Sequence, residues 1–191
     1  MKILFCLLLI SLATYAEDLK PIFNGKDFTN WVKPKKNIWW SVEDGVIVCK
    51  NCPKKKGSNL WTTEKYKDFI VQLDFKMGEG TVDSGLFLRN QDQIQIGISG
   101  SLKRDMTTSP YIPGKGYPKE SKGVKEILKV KGWNTMKVKV VNNVYTVWLN
   151  GTKVNEYESQ TAIEEGPIGL QLHAKRIMEI HFKNIMVKKL N

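Results

Sequence analysis

From Trp39 onward the chain alternates apolar and polar side chains, the pattern of a strand with one buried face. Phe69, Val71, Leu73, Phe75 and Met77 fall on one side, and Gln72, Asp74 and Lys76 on the other. Met136, Val138 and Val140 repeat the pattern against Lys137 and Lys139. Ile180 and Phe182, then Ile185 and Val187, continue it around a turn or bulge expected at Lys183-Asn184. Asn150-Gly151, between Val147-Trp148-Leu149 and Thr152-Lys153-Val154, predicts a type I′ hairpin, because both central positions of that turn need positive φ. Asn142-Asn143 is expected to turn the preceding pair, and further strands are expected over 39–41, 46–49, 85–90, 93–98 and 167–173. Many short antiparallel strands without intervening helices must bury their apolar faces on a second sheet. The predicted fold class is therefore all-β, a β-sandwich of two antiparallel sheets.

One stretch breaks the rhythm. Residues 101–132 hold Pro110, Pro113 and Pro118 with Gly114, Gly116 and Gly123. A long irregular excursion inside a compact domain is usually functional or disordered. Tyr111 and Tyr117 argue for order, as a flap over one end of a groove.

Composition narrows the class. The chain has 191 residues, 41% of them hydrophobic, with 6 Trp, 6 Tyr and 7 Phe, enough for a packed core. Lys2, the apolar run from Ile3 to Leu12 and the small residue Ala16 describe a secretory signal, so residues 1–16 are expected to be removed and residues 17–191 to form a single domain. The expected location is outside the cytoplasm, periplasmic or secreted, with no membrane span. Losing Lys2 and no acid lowers the formal charge from +11 to +10. Export makes nucleic acid an unsuitable partner. The basic residues, such as Lys35-Lys36 and Lys54-Lys55-Lys56, look scattered and read as a solvated surface, with an anionic envelope or acidic glycan left open. Cys49 and Cys52 are placed to close a small disulfide ring at a strand end; only His173 and His181 are available to join them in a zinc site.

Alternation also predicts where polar groups converge. Opposite the core-facing Leu86, Leu88, Ile94, Ile96, Leu170 and Leu172 stand Arg89, Gln95, Gln171 and His173, and the strand before Asn150-Gly151 adds Trp148. If these strands share one sheet, its outer face offers a flat aromatic for a sugar ring and planar polar groups for hydroxyls. The enzymatic reading is made to rest on Arg89, His173 and Trp148 meeting on one open face. The chain lacks a Gly-x-Ser-x-Gly elbow, a phosphate loop, a dinucleotide fingerprint and a His-Glu-x-x-His helix. It also lacks the Glu-x-Asp-x-x-Glu run of sandwich-fold glucanases, so ordinary paired-acid glycoside hydrolysis is not supported.

Seven segments occur in an order that resembles the 3-keto-disaccharide hydrolase family. They are Phe23-Asn24-Gly25-Lys26-Asp27 with Trp31, Leu60-Trp61-Thr62, Tyr66-Lys67-Asp68-Phe69, Ser84-Gly85-Leu86-Phe87-Leu88-Arg89, Gly132-Trp133-Asn134, Trp148-Leu149-Asn150-Gly151 and Gly169-Leu170-Gln171-Leu172-His173. The resemblance runs from about Leu19 to Leu190. It implies a concanavalin A-like jelly roll with a carbohydrate site on its concave sheet, and cleavage of 3-keto-glycosides by exported proteins. A C3 ketone acidifies the C2 hydrogen, so one base can start elimination of the C1 substituent, and water then adds back. In that scheme His173 is the base, Arg89 or a divalent metal stabilises the enolate, and Trp148 and Trp61 stack on sugar rings, with Gln95, Gln171 and Asp83 as further substrate contacts. No cofactor is otherwise called for. The chain departs from the family where Gln93 and Ile98 replace acids common around its central strand, and where Asp83 replaces an Asn. The rival expectation is a non-catalytic glycan-binding module on the same fold; a third is a structural envelope protein held by its charge, which predicts salt-sensitive binding without sugar dependence.

Overall fold

Strands form where the sequence alternates, and turn residues end them. The computed structural model describes residues 18–51 and 55–190. The expected signal segment, 1–16, lies outside the described residues. In chain order the strands are β1 (Lys20–Pro21), β2 (Trp31–Val32), β3 (Trp40–Glu43), β4 (Val46–Lys50), β5 (Ser58–Tyr66), β6 (Phe69–Gly80), β7 (Asp83–Leu88), β8 (Asp92–Gly97), β9 (Pro110–Tyr111), β10 (Asn134–Val141), β11 (Val144–Leu149), β12 (Thr152–Glu158), β13 (Gly166–Leu172) and β14 (Met178–Lys189). One short helix, α1 (Val124–Ile127), lies between β9 and β10.

Two antiparallel sheets result. The larger runs β12-β11-β10-β6-β14-β4-β3, with β1 paired on β14; the smaller runs β2-β5-β13-β7-β8-β9. Leu73 pairs with Met136 and Val71 with Val138 across β6 and β10, so the period-two faces predicted for these strands point the same way. They bury against Leu60, Leu86, Ile94, Ile96 and Leu170 of the smaller sheet. Each such side chain, fully withdrawn from water, contributes about 1.5–3 kcal/mol.

The predicted irregularities fall in place. Register between β14 and β6 shifts between Lys183 and Met186, with Asn184 at φ 49°, which lets Phe182 and Ile185 both face the core. Asn150 and Gly151 have φ 49° and 86°, as a type I′ hairpin requires. The excursion is ordered along the β8 edge: Thr108 N donates to Gln95 O at 2.8 Å and Gln95 N to Ser109 O at 3.0 Å. Cys49 is a free thiol on the core-facing side of β4, fully buried, and Cys52, its partner in the ring considered from sequence, lies outside the described residues. Burial pushes the Cys49 thiol well above its ordinary pKa.

Candidate functional site

The outer face of the smaller sheet carries a convergent set of polar side chains. Leu86 and Leu88 turn inward from β7, leaving Asp83, Gly85 and Phe87 outward; on β8 Ile94 and Ile96 turn inward, leaving Gln93 and Gln95. On β13 the outward positions are Gly169 and Gln171, with His173 just beyond the strand end. Register aligns them: Gly85 lies between Gln95 and Gln171, and Phe87 between Gln93 and Gly169. Gly85 is needed here, because a Cβ would sit 1.9 Å from Gln93 Nε2, which lies across it.

These side chains form one hydrogen-bonded chain. Gln93 Nε2 donates to Gln171 Oε1 at 3.0 Å and to Gln95 Oε1 at 3.3 Å, and Gln95 Nε2 donates to Asp83 Oδ1 at 2.8 Å. Asp83 is 3% exposed, and its Oδ2 has no hydrogen-bond partner. Arg176 Nε lies 3.3 Å from that oxygen, and His173 Nδ1 lies 3.9 Å from it. A buried carboxylate ion-paired to a guanidinium fixes that cation at the pocket wall.

The tautomer of His173 follows from its neighbour. Nδ1 is 2.8 Å from the Ala174 carbonyl oxygen, which can only accept, so in the neutral ring Nδ1 carries the hydrogen and Nε2 keeps a lone pair. The side chain is 43% exposed and lines the pocket. The pocket has a volume of about 660 Å³; Tyr111 and Tyr117, in edge contact at 5.2 Å, form a wall, and Lys103, Lys175 and Arg176 supply cations. Burial pushes the Tyr117 phenol up in pKa.

Of the residues expected from sequence, Asp83, Gln95, Gln171 and His173 meet in this pocket. Trp61 shares the face but does not line the pocket. It lies over Gly169, where a Cβ would come within 2.3 Å of the ring, and contacts Phe87 at 4.9 Å between centroids. Arg89 is a correction. Arg89 and Asn90 form a turn at φ 53° and 68°, which breaks the alternation and swings the guanidinium to the far end of β7. It is 2% exposed and donates to the carbonyls of Lys67, Asn142 and Ile163 and to Asp68 Oδ1. Six residues of strand separate it from Asp83, roughly 20 Å. Trp148 is the second correction: β11 belongs to the larger sheet, where the indole pairs with Lys137 on the opposite surface of the sandwich. The expected trio of Arg89, His173 and Trp148 is therefore not assembled, and the enzymatic reading in the form that rests on it fails. Sequence reasoning missed Arg176, which sits in the turn after β13 where no periodicity marks it.

The donor set does not fit a divalent cation. The pocket offers one carboxylate and one imidazole, and among the described residues no three His, Cys, Asp or Glu side chains gather.

Fold and face together define a jelly-roll sandwich with a polar pocket and an aromatic platform on one sheet. Several solved structures share that fold. A candidate glycosyl hydrolase from Parabacteroides distasonis ATCC 8503 is 22% identical, with a TM-score of 0.69 over 91% of this chain and 94% of that one. A Bacillus licheniformis β-glucanase is 14% identical, with a TM-score of 0.63 over 91% and 97%. The carbohydrate-binding module CBM66 from Bacillus subtilis is 13% identical, with a TM-score of 0.56 over 85% and 98%. Comparison with curated proteins returned no match. Residues 18–188 match the 3-keto-alpha-glucoside-1,2-lyase-like domain, and the chain belongs to that family.

Proposed function

We propose that this protein is an exported enzyme that cleaves 3-keto-glycosides, by elimination across C1–C2 followed by hydration, in the pocket of Asp83, His173 and Arg176. The observation that carries the reading is the His173 ring: its Nδ1 is committed to the Ala174 carbonyl, which leaves the Nε2 lone pair as the base, and the half-exposed side chain lines a pocket that also holds a guanidinium. Nε2 takes the C2 proton, which the C3 ketone makes acidic. The electron pair forms the C1–C2 double bond as the C1–O bond breaks, and the leaving oxygen takes up a proton from the imidazolium. Water then adds across the double bond. Arg176, in place of Arg89, lies where it can stabilise the enolate oxygen, while Gln171 binds a neighbouring oxygen and Asp83 holds Arg176 in position. Trp61 and Phe87 offer a platform for a second ring. Export is supported by Lys2, the apolar run and Ala16.

The test is direct. The purified protein is mixed with a 3-keto-disaccharide, and free 3-keto-sugar or glycal is followed by NMR. Product is expected, with a loss of about 10²–10⁴-fold in His173→Ala. A second reading, a glycan-binding module without turnover, is favoured by one observation: Gln93, an amide locked to Gln95 and Gln171, stands where the family resemblance leads one to expect an acid. Binding without product selects that reading.

A further inference from the structure

The lysines that look scattered in sequence are gathered by strand register. On the outer surface of the larger sheet, Lys76 of β6, Lys137 and Lys139 of β10, and Lys183 and Lys188 of β14 all take outward positions. Lys139 and Lys188 flank Ile70 on either side, two strand spacings apart, roughly 9.6 Å. Lys183 lies opposite Asp74, and Lys137 opposite both Gln72 and Trp148.

Two indoles lie among these ammonium groups. Trp133 has Lys183 Nζ at 4.2 Å and Lys76 Nζ at 5.4 Å from its ring centroid, and Trp148 has Lys137 Nζ at 4.7 Å. Asp74 places a negative charge among these five lysines, and Glu156 and Glu179 are paired with cations or His181. Asp74 accepts from Thr135 at 2.6 Å and Asn184 at 2.7 Å, Glu156 pairs with Lys153, and Glu179 bonds to His181 and Lys50. The surface is thus a basic sheet face with aromatic rings between its charges.

We infer that this face is a second binding site, for a linear acidic polysaccharide bearing carboxylate or sulfate groups. Charge complementarity sets the sign of the partner. The side chains narrow its class. All five cations are lysines, with none of the planar guanidinium forks that hold phosphate in two-point contacts. Of the exposed large apolar residues, Val32, Ile38, Leu102, Ile163 and Ile177 lie off β6, β10, β11 and β14, and Val130 borders the face beside Lys76, so the face offers no continuous apolar stripe to a bilayer. Indoles held under ammonium groups suit sugar rings with acidic substituents. The site is on the opposite surface from the pocket and does not depend on turnover there.

Polygalacturonate is the probe, with dextran as neutral polymer, and duplex DNA and phosphatidylglycerol vesicles as other polyanions. Retardation in affinity gels and calorimetry are expected to show polygalacturonate binding that weakens with salt and no dextran binding. K76Q/K139Q/K183Q/K188Q should weaken it about tenfold or more, as loss of four clustered cations predicts. W148A should weaken it further. K35Q/K36Q/K55Q/K56Q removes the same charge from elsewhere and should leave affinity within about twofold. Circular dichroism checks that each variant is folded. Equal weakening by both quadruple variants reduces the effect to net charge and overturns the site. Tighter binding of DNA or vesicles than of polygalacturonate, through the same lysines, overturns the ligand class.

Discussion

Arg176 Nε lies 3.3 Å from Asp83 Oδ2, and that carboxylate oxygen is buried without a hydrogen-bond partner. The pair supplies the guanidinium that the sequence pattern assigns to Arg89. Arg176→Lys keeps the charge but loses the planar fork. It is expected to lower kcat/KM for a 3-keto-disaccharide by about tenfold or more, with little change in melting temperature. An unchanged kcat/KM removes Arg176 from the reaction.

Arg89 is expected to behave in the opposite way. It holds three carbonyls and Asp68 together where three connections meet, and its side chain is 3% exposed. Arg89→Met leaves those carbonyls unsatisfied and strips a partly buried carboxylate of its cation, leaving it only the Asn142 N–H, so unfolding in urea should show a loss of about 3–5 kcal/mol. Specific activity per folded molecule should stay near that of the unaltered protein. A stable variant without activity would return Arg89 to the site.

Gly85→Ala places a methyl group where Gln93 lies, 1.9 Å from its Nε2 and 2.5 Å from its Cγ. The amide must move, and its bonds to Gln95 and Gln171 break. Sugar affinity in the pocket, measured by calorimetry, is expected to drop roughly tenfold, the scale of one lost hydrogen bond with its partner left unsatisfied. Unaltered affinity shows that the amide chain does not shape the ligand.

Asp27 explains one of the sequence motifs. Hydrogen bonds from Thr29, then from Asn24, hold its carboxyl down to about 2, against an ordinary value of 3.8. Because the folded value is depressed, the stabilisation is fully present above pH 3.8 and is lost as pH falls through about 2. An NMR titration of the side-chain carboxyl should give a midpoint near 2, and a midpoint near 4 would dissolve the turn as drawn.

Much of the sandwich is legible in sequence because a half-buried strand must alternate. Phe69 to Phe75 and Met136 to Val140 show it, and Asn150-Gly151 and Lys183-Asn184 announce their turn and bulge through residues that tolerate positive φ. Alternation assigns a side chain to a face of its own strand but says nothing of which sheet that strand joins. Trp148 and Gln95 therefore look alike in sequence and end on opposite surfaces. Arg89 fails differently: parity holds only while the backbone stays extended, and the left-handed turn at Arg89-Asn90 ends it. Arg176 follows the last residue of β13 by four positions, in a turn whose side-chain directions have no period to read. The basic face is invisible for the same reason that Trp148 is misplaced, since Lys76, Lys139 and Lys188 come together only through pairing across β6, β10 and β14.

The amides over the smaller sheet run one way. Gln93 gives one hydrogen to Gln171 and shares the other between the Ser84 carbonyl and Gln95, and Gln95 gives its own to Asp83, so Gln171 accepts and keeps its NH₂. Such a relay has a sense, like a one-way street, and reversing one member would force its neighbours to turn as well. Its two ends are therefore unlike: the buried Asp83 end is closed by Arg176, and the Gln171 end, with its NH₂ unspent, asks for an oxygen bare of hydrogen.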